Sequence, residues 1–150
     1  MPRVLVVHHT PSPGMQQMLE AVLAGTRDPE LDPVDVVVRS ALRATASDVF
    51  EADAFLLGSP VNIGYISGAL KHFFDQVYYP TLLDRRGAPF GLWLHGSSDA
   101  TGAVRAVDAI TTGLGWQRAH EDVIALGTVD VAIEDRCHSL GATLAALAAT

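Results

Sequence analysis

Ala54-Phe55-Leu56-Leu57-Gly58-Ser59-Pro60-Val61-Asn62-Ile63-Gly64-Tyr65-Ile66-Ser67-Gly68-Ala69-Leu70-Lys71-His72-Phe73-Phe74-Asp75 reads as a strand, a turn and a helix in succession. The run at 54–57 lacks polar alternation, as in a strand covered on both faces. Gly58, Pro60, Asn62 and Gly64 then mark a long connection, after which Ile66, Ala69, Leu70, Phe73, Phe74 and Val77 keep helical spacing until Pro80. The stretch 54–70 carries no charge and approaches membrane-spanning length, but its glycines and proline divide it into separate elements.

The same reading extends in both directions. Val4 to Val7 is a second continuous apolar run, expected to be central, and Met15, Met18, Leu19, Val22 and Leu23 form a helical stripe that stops near Gly25. Val34–Val38 reads as a strand and Ala44–Glu51 as a short helix. Phe90–Leu94 is a further strand, followed by a helix with Ala103, Val107, Ile110 and Leu114 on one side and Gly113 and Gly115 at its end. A weaker strand at Glu121–Leu126 precedes a last helix from about Val131 to Ala148, with Ile133, Cys137, Leu140, Leu144 and Leu147 facing inward. Strands alternating with helices, without repeat or linker, predict one α/β domain over residues 1–150. The expected form is a doubly wound five-stranded parallel sheet of order 2-1-3-4-5 between two helical layers. Its ligand belongs outside the carboxyl ends of the strands, between the first and the third, where the winding reverses.

Composition narrows the class. With 49% hydrophobic and 18% charged residues in 150, the chain can build a conventional core and is not disordered. A net charge of −7 argues against nucleic-acid and anionic-membrane partners, which are met by clustered Lys and Arg. Lone Cys137 makes no internal disulfide, and Met1-Pro2-Arg3 runs straight into a strand, so a cytoplasmic location is expected. The six histidines show no metal-site spacing, and no metal is expected. Lys71 and Asp75 read as a structural pair, Trp93 and Trp116 as packing residues, and Cys137 as inert core. Tyr78 and Tyr79 either cover a subunit interface, for which a homodimer is the simplest assembly, or finish their helix.

Three loops at the predicted sheet edge carry candidate chemistry. The first, His8 to Gln16, includes His9, Thr10, Ser12, Pro13, Gly14, Met15 and Gln16 and holds no Lys or Arg. Hydroxyls and free amides at a helix N-terminus can hold a phosphate, although Ser12 followed by Pro13 also suits a plain helix cap. The second includes Pro60, Val61, Asn62, Ile63, Gly64 and Tyr65, residues that let a planar ligand approach the backbone, or else an ordinary turn. The third offers His95, Gly96, Ser97, Ser98 and Gly102, with Asp99 or Thr101 as alternative helix caps. Convergence of all three on one edge favours a ligand.

Gly58 to Asp75 resembles the flavodoxin-like superfamily, in the branch of NAD(P)H-dependent FMN reductases and flavodoxin-fold quinone reductases, through a GSP loop followed by a G-x-(L)-K-x-F-x-D helix. The first loop is similar to the flavodoxin phosphate loop through Thr10, Ser12 and Gly14. It departs from it at Met15 and in two prolines that remove amides, which Gln16 or Gln17 would offset. The resemblance implies one FMN, its phosphate on Thr10, Ser12 and the amides through Gln16, and its ring between 60–65 and 95–98. It also implies NAD(P)H as electron donor and a quinone, a similar acceptor or a redox protein as recipient. The alternatives are a flavodoxin-type electron carrier and a cofactor-free interaction module. A receiver domain would need an acidic pair where His8-His9 stands, and a low-molecular-weight phosphatase would need a cysteine in the first loop. Arg39 and Arg43 are either dinucleotide contacts or solvated surface residues.

Overall fold

A computed structural model describes residues 1–150. Five parallel strands make the body of the sheet: β1 (Arg3–His8), β2 (Asp35–Ser40), β3 (Ala54–Asn62), β5 (Pro89–Gly96) and β7 (Val123–Leu126). Two short strands complete it, β4 (Tyr65–Ile66), antiparallel to β3, and β6 (Gln117–Arg118), parallel to β5. The path β2-β1-β3-β5, with β7 beside β5, is the expected 2-1-3-4-5 winding.

Helices cover both faces. Helix α1 (Pro13–Thr26) and helix α5 (Val131–Ala148) lie on one side, where Met15, Met18, Val22, Leu140 and Leu144 bury against Val4, Val6, Leu56 and Trp93. On the other side, α2 (Ala46–Phe50), α3 (Gly68–Val77) and α4 (Thr101–Leu114) cover Leu5, Val7, Phe55, Leu57 and Leu92. Successive strand residues thus feed alternate cores, as a period of two requires. Phe55 stacks on Trp116 with ring centroids 3.8 Å apart, a pair worth roughly 0.5–1.5 kcal/mol beyond its burial.

Local chemistry sets the helix ends. Ser12 caps α1 with Pro13 at its first position, Thr45 and Asp48 form a reciprocal capping box on α2, and Asp130 caps α5. Helix α5 has the limits expected from its apolar spacing. Lys71 and Asp75 pair at 2.6 Å, and Cys137 is fully buried with its thiol pushed up to about 12 by that burial. No helix is long and apolar enough to cross a membrane.

Several boundaries differ from expectation. The third strand continues through Gly58–Asn62, a segment expected to be loop, and then turns back into β4. The fourth strand likewise runs on through His95 and Gly96, because β3 on one side and β7 on the other supply its ladder partners. The fifth position is split: β6 and β7 are separated at residues 119–122, where Arg118 bonds Asp122 at 2.8 Å and also pairs with Asp108.

Helices α1 and α5 touch through backbone. A methyl at Gly25 would collide with the His138 carbonyl, and one at Gly141 with the Val22 carbonyl. Gly141→Ala is therefore expected to destabilise the domain by about 1–3 kcal/mol, because neither helix can yield locally. Gly68→Ala, which adds its methyl to open space in the first turn of α3, should instead gain about 0.4–1 kcal/mol. Urea unfolding midpoints check both.

Candidate functional site

Parallel pairing carries the ends of β1, β3 and β5 to one edge, with His8 opposite Gly58 and Pro60 opposite His95. The His9 amide donates to the Gly58 carbonyl at 3.0 Å, which holds the first loop beside the start of the second. Beyond it, Pro11 and Pro13 have no N–H, and Ser12 Oγ accepts from the Met15 amide at 3.3 Å. The amides of Thr10, Ser12 and Gly14 find no partner in the chain. Ser12 thus caps α1, and its own amide and those of Thr10 and Gly14 remain free.

Side chains in this loop divide by direction. Met15 is fully buried in the core, whereas Gln16 is exposed and bonds Glu20 at 3.1 Å. Thr10 Oγ1 lies 2.8 Å from His8 Nδ1. Burial, reinforced by the neighbouring His9, lowers the His8 pKa and favours the neutral ring. His9 Nδ1 is buried without a hydrogen-bond partner.

The second loop is a hairpin. Pro60 and Val61 belong to β3, Asn62 faces Tyr65 across the ladder, and Ile63 and Gly64 take φ of 51° and 72°. Two central residues with positive φ are the mark of the type I′ turn, which twists as its strands do. Ser59 Oγ, fully buried, donates to the Pro60 carbonyl at 2.7 Å and accepts from the Ser67 amide at 2.9 Å. That hydroxyl fixes the hairpin from below and leaves Ile63 and Tyr65 exposed at its tip.

In the third loop, His95 and Gly96 end β5, while Ser97 and Ser98 are exposed with unpartnered amides. Asp99 Oδ1 accepts from the Thr101 amide at 3.0 Å and from its hydroxyl at 2.6 Å, which lowers the Asp99 pKa. Gly102 follows in the first turn of α4.

The loops meet at two glycines. The His95 ring lies over Gly14, where a methyl would stand 2.6 Å from Cε1, and the Gly64 carbonyl occupies the space a methyl on Gly102 would need. The first loop therefore touches the third, and the third touches the second. One participant escaped the sequence reading: His95 Nε2 is 2.7 Å from the Gly127 carbonyl, which brings in the loop after β7. Its only signal was a Gly-Thr pair after a strand, the same turn chemistry as its neighbours. The largest cavity, about 460 Å³, flanks the third loop and is lined by Ala100, Thr101, Val104, Arg105 and Ile124, among others.

The low His8 pKa has a defined consequence for folding. The unfolded chain, with an ordinary histidine near 6.5, binds a proton that the folded state resists, so stability is lost as pH falls below that value. Melting temperature of the apoprotein should drop between pH 7 and pH 5, and His8→Gln should flatten part of that drop (about 6.5 being the pivot).

Comparison with known proteins supplies the family. A 77-residue segment, 51% of this chain and 40% of the relative, is 38% identical to a flavodoxin of Aquifex aeolicus. Over 114 residues, 65% of this chain and 51% of the relative, it is 26% identical to an NAD(P)H dehydrogenase (quinone) of Methylocella silvestris. The chain thus spans about half the length of these curated relatives. A flavodoxin from the domain Archaea superposes with a TM-score of 0.84 at 17% identity, covering 99% of both chains. Residues 8–126, which include all three loops, match the model of the NADPH-dependent FMN reductase family, and the chain is a member of that family, with a flavodoxin-like fold and FMN as its cofactor.

Proposed function

We propose that this chain is an NAD(P)H-linked FMN oxidoreductase that delivers electrons to a quinone or a similar acceptor. The observation that carries the reading is the junction of three loops around unpartnered main-chain donors, with no Phe, Tyr or Trp in residues 95–102. The residues fit FMN: the free amides of Thr10, Ser12 and Gly14 at the start of α1 suit a phosphate, because they combine unpaired N–H groups with the positive end of the helix dipole. Thr10 and Ser12 hydroxyls add neutral donors there. The amides of Ser97 and Ser98, with Gly96, suit the pyrimidine side of the ring, Asn62, Ile63 and Gly64 suit its central nitrogen edge, and His95, whose ring lies over Gly14, stands at the phosphate end. Tyr65 flanks the ring from the hairpin.

Bound FMN supplies the electron transfer between a hydride donor and an acceptor. The chain's own part is to hold the phosphate, orient the ring against the hairpin and place donors where negative charge gathers. Small residues in the third loop leave room for a nicotinamide or quinone to stack. An aromatic at that place would cover the ring, as suits a carrier. The family's name and the quinone dehydrogenase relative support the enzymatic reading, and the flavodoxin relative supports carriage between protein partners.

Two measurements test this. Anaerobic stopped-flow mixing of the FMN-loaded protein with NADPH or NADH is expected to bleach the flavin, and absence of bleaching would favour the carrier. Thr10→Ala combined with Ser12→Ala should weaken FMN binding by about 1.5–3 kcal/mol for each charge-assisted bond lost, and should leave riboflavin affinity nearly unchanged. Equal losses for the two ligands would place the phosphate elsewhere.

A further inference from the structure

We infer that His95 is the titratable cation of the phosphate site, so that FMN binding draws a proton onto its Nδ1 and FMN affinity falls as pH rises above neutrality. This rests on the FMN placement proposed above and goes beyond it by naming the charge that balances the phosphate.

The segments that meet at the site, 4–26, 54–70, 89–104 and 123–131, contain no Lys or Arg. A phosphate dianion there faces neutral donors in a chain of net charge −7. His95 is the exception by position. Its backbone is fixed between Pro60 of β3 and Ala125 of β7, and its ring edge lies against Gly14 in the first turn of α1. The Gly127 carbonyl, 2.7 Å from Nε2, can only accept, so Nε2 carries a proton. In the neutral ring, Nδ1 then holds a lone pair. That nitrogen has no partner in the chain, and the ring meets the place of a methyl on Gly14 through Cε1 at 2.6 Å, with Nδ1 and Nε2 both at 3.0 Å; the Gly14 amide is also unpartnered. An anion seated at that amide meets a lone pair unless Nδ1 is protonated, and protonation converts a repulsive contact into a charge-assisted donor.

The other titratable groups around the ring are engaged or remote in role. The first turn of α1 has no acid or base. His8, at the end of β1, is tied to Thr10 with its pKa lowered by burial, and the following His9 has a buried Nδ1 with no partner. Asp99, in the ring's own loop, is bonded to Thr101 and faces Arg105 of α4, and Asp130, after β7, caps Ile133 at 2.9 Å. The ends of β3 and β7 contribute no ionisable side chain.

The sign of the pH dependence separates this arrangement from a site of neutral donors. A phosphate monoester loses its second proton near pH 6, so a neutral cradle binds FMN more tightly as pH rises toward 7 and equally thereafter. With His95 coupled, Kd for FMN should rise between pH 7 and pH 9 with a limiting slope of about tenfold per pH unit, one proton being released on dissociation. Riboflavin, lacking the phosphate, should show a flat profile. Flavin fluorescence quenching gives both curves. His95→Gln retains an amide donor for the Gly127 carbonyl without titrating, and should bind FMN with a flat profile above pH 7. The wild-type protein provides a check that needs no variant: nitrogen-15 NMR of the His95 ring at pH 7.5 should show Nδ1 gaining a proton on FMN addition and not on riboflavin addition. A flat or rising FMN affinity above pH 7, the same slope for riboflavin, or an unprotonated Nδ1 in the FMN complex would each overturn the inference and leave the cofactor assignment standing. Failure to bind FMN at every pH would remove both.

Discussion

Two neighbouring parallel strands whose following segments depart to opposite faces leave a gap that no connection crosses, and every other feature of the site follows from that constraint. Here the strands are β1 and β3, with α1 leaving toward the Trp93 face and α3 toward the Phe55 face. Main-chain donors at the gap have no strand or helix to satisfy them. The unpartnered amides of Thr10, Ser12 and Gly14 are the direct result. A ligand rich in acceptors restores what winding in both directions removed.

The scaffold holds those donors in place before any ligand arrives. Met15 and Met18 anchor the underside of α1, the backbone contact through Gly25 and Gly141 sets its distance from α5, and the His95 ring bears on its first turn. Ser59 does the same for the hairpin through its bonds to Pro60 and Ser67. A ligand that bound at this edge would therefore find little ordering entropy left to lose.

Much of this was legible in the residues, for reasons that can be named. Apolar runs at 4–7, 54–57 and 90–94 reported strands buried on both faces, and the spacing in 131–148 reported a helix to its correct ends. The segment 58–62 misled because Gly58 and Pro60 are ordinary turn formers. In the fold Gly58 is small because the Trp93 ring lies against it from β5, and Pro60 keeps its place at the strand end. The turn itself hid behind Ile63, a β-branched residue with positive φ where Asn or Asp is usual. The candidate loops were found by their small and polar residues. Their mutual contacts, Gly14 with His95, Gly102 with Gly64 and His95 with Gly127, join positions far apart in the chain and leave no local pattern.

The divided outermost strand has a consequence for how copies of the protein behave together. Past the break at 119–122, only four residues of β7 offer unpaired backbone to a passing chain, and the charged cluster of Arg118, Asp108 and Asp122 stands at the interruption. A neighbouring molecule that began to extend the sheet from this side would run out of hydrogen-bond partners within a few residues and meet fixed charges, so fibrous self-assembly along that border is discouraged by construction.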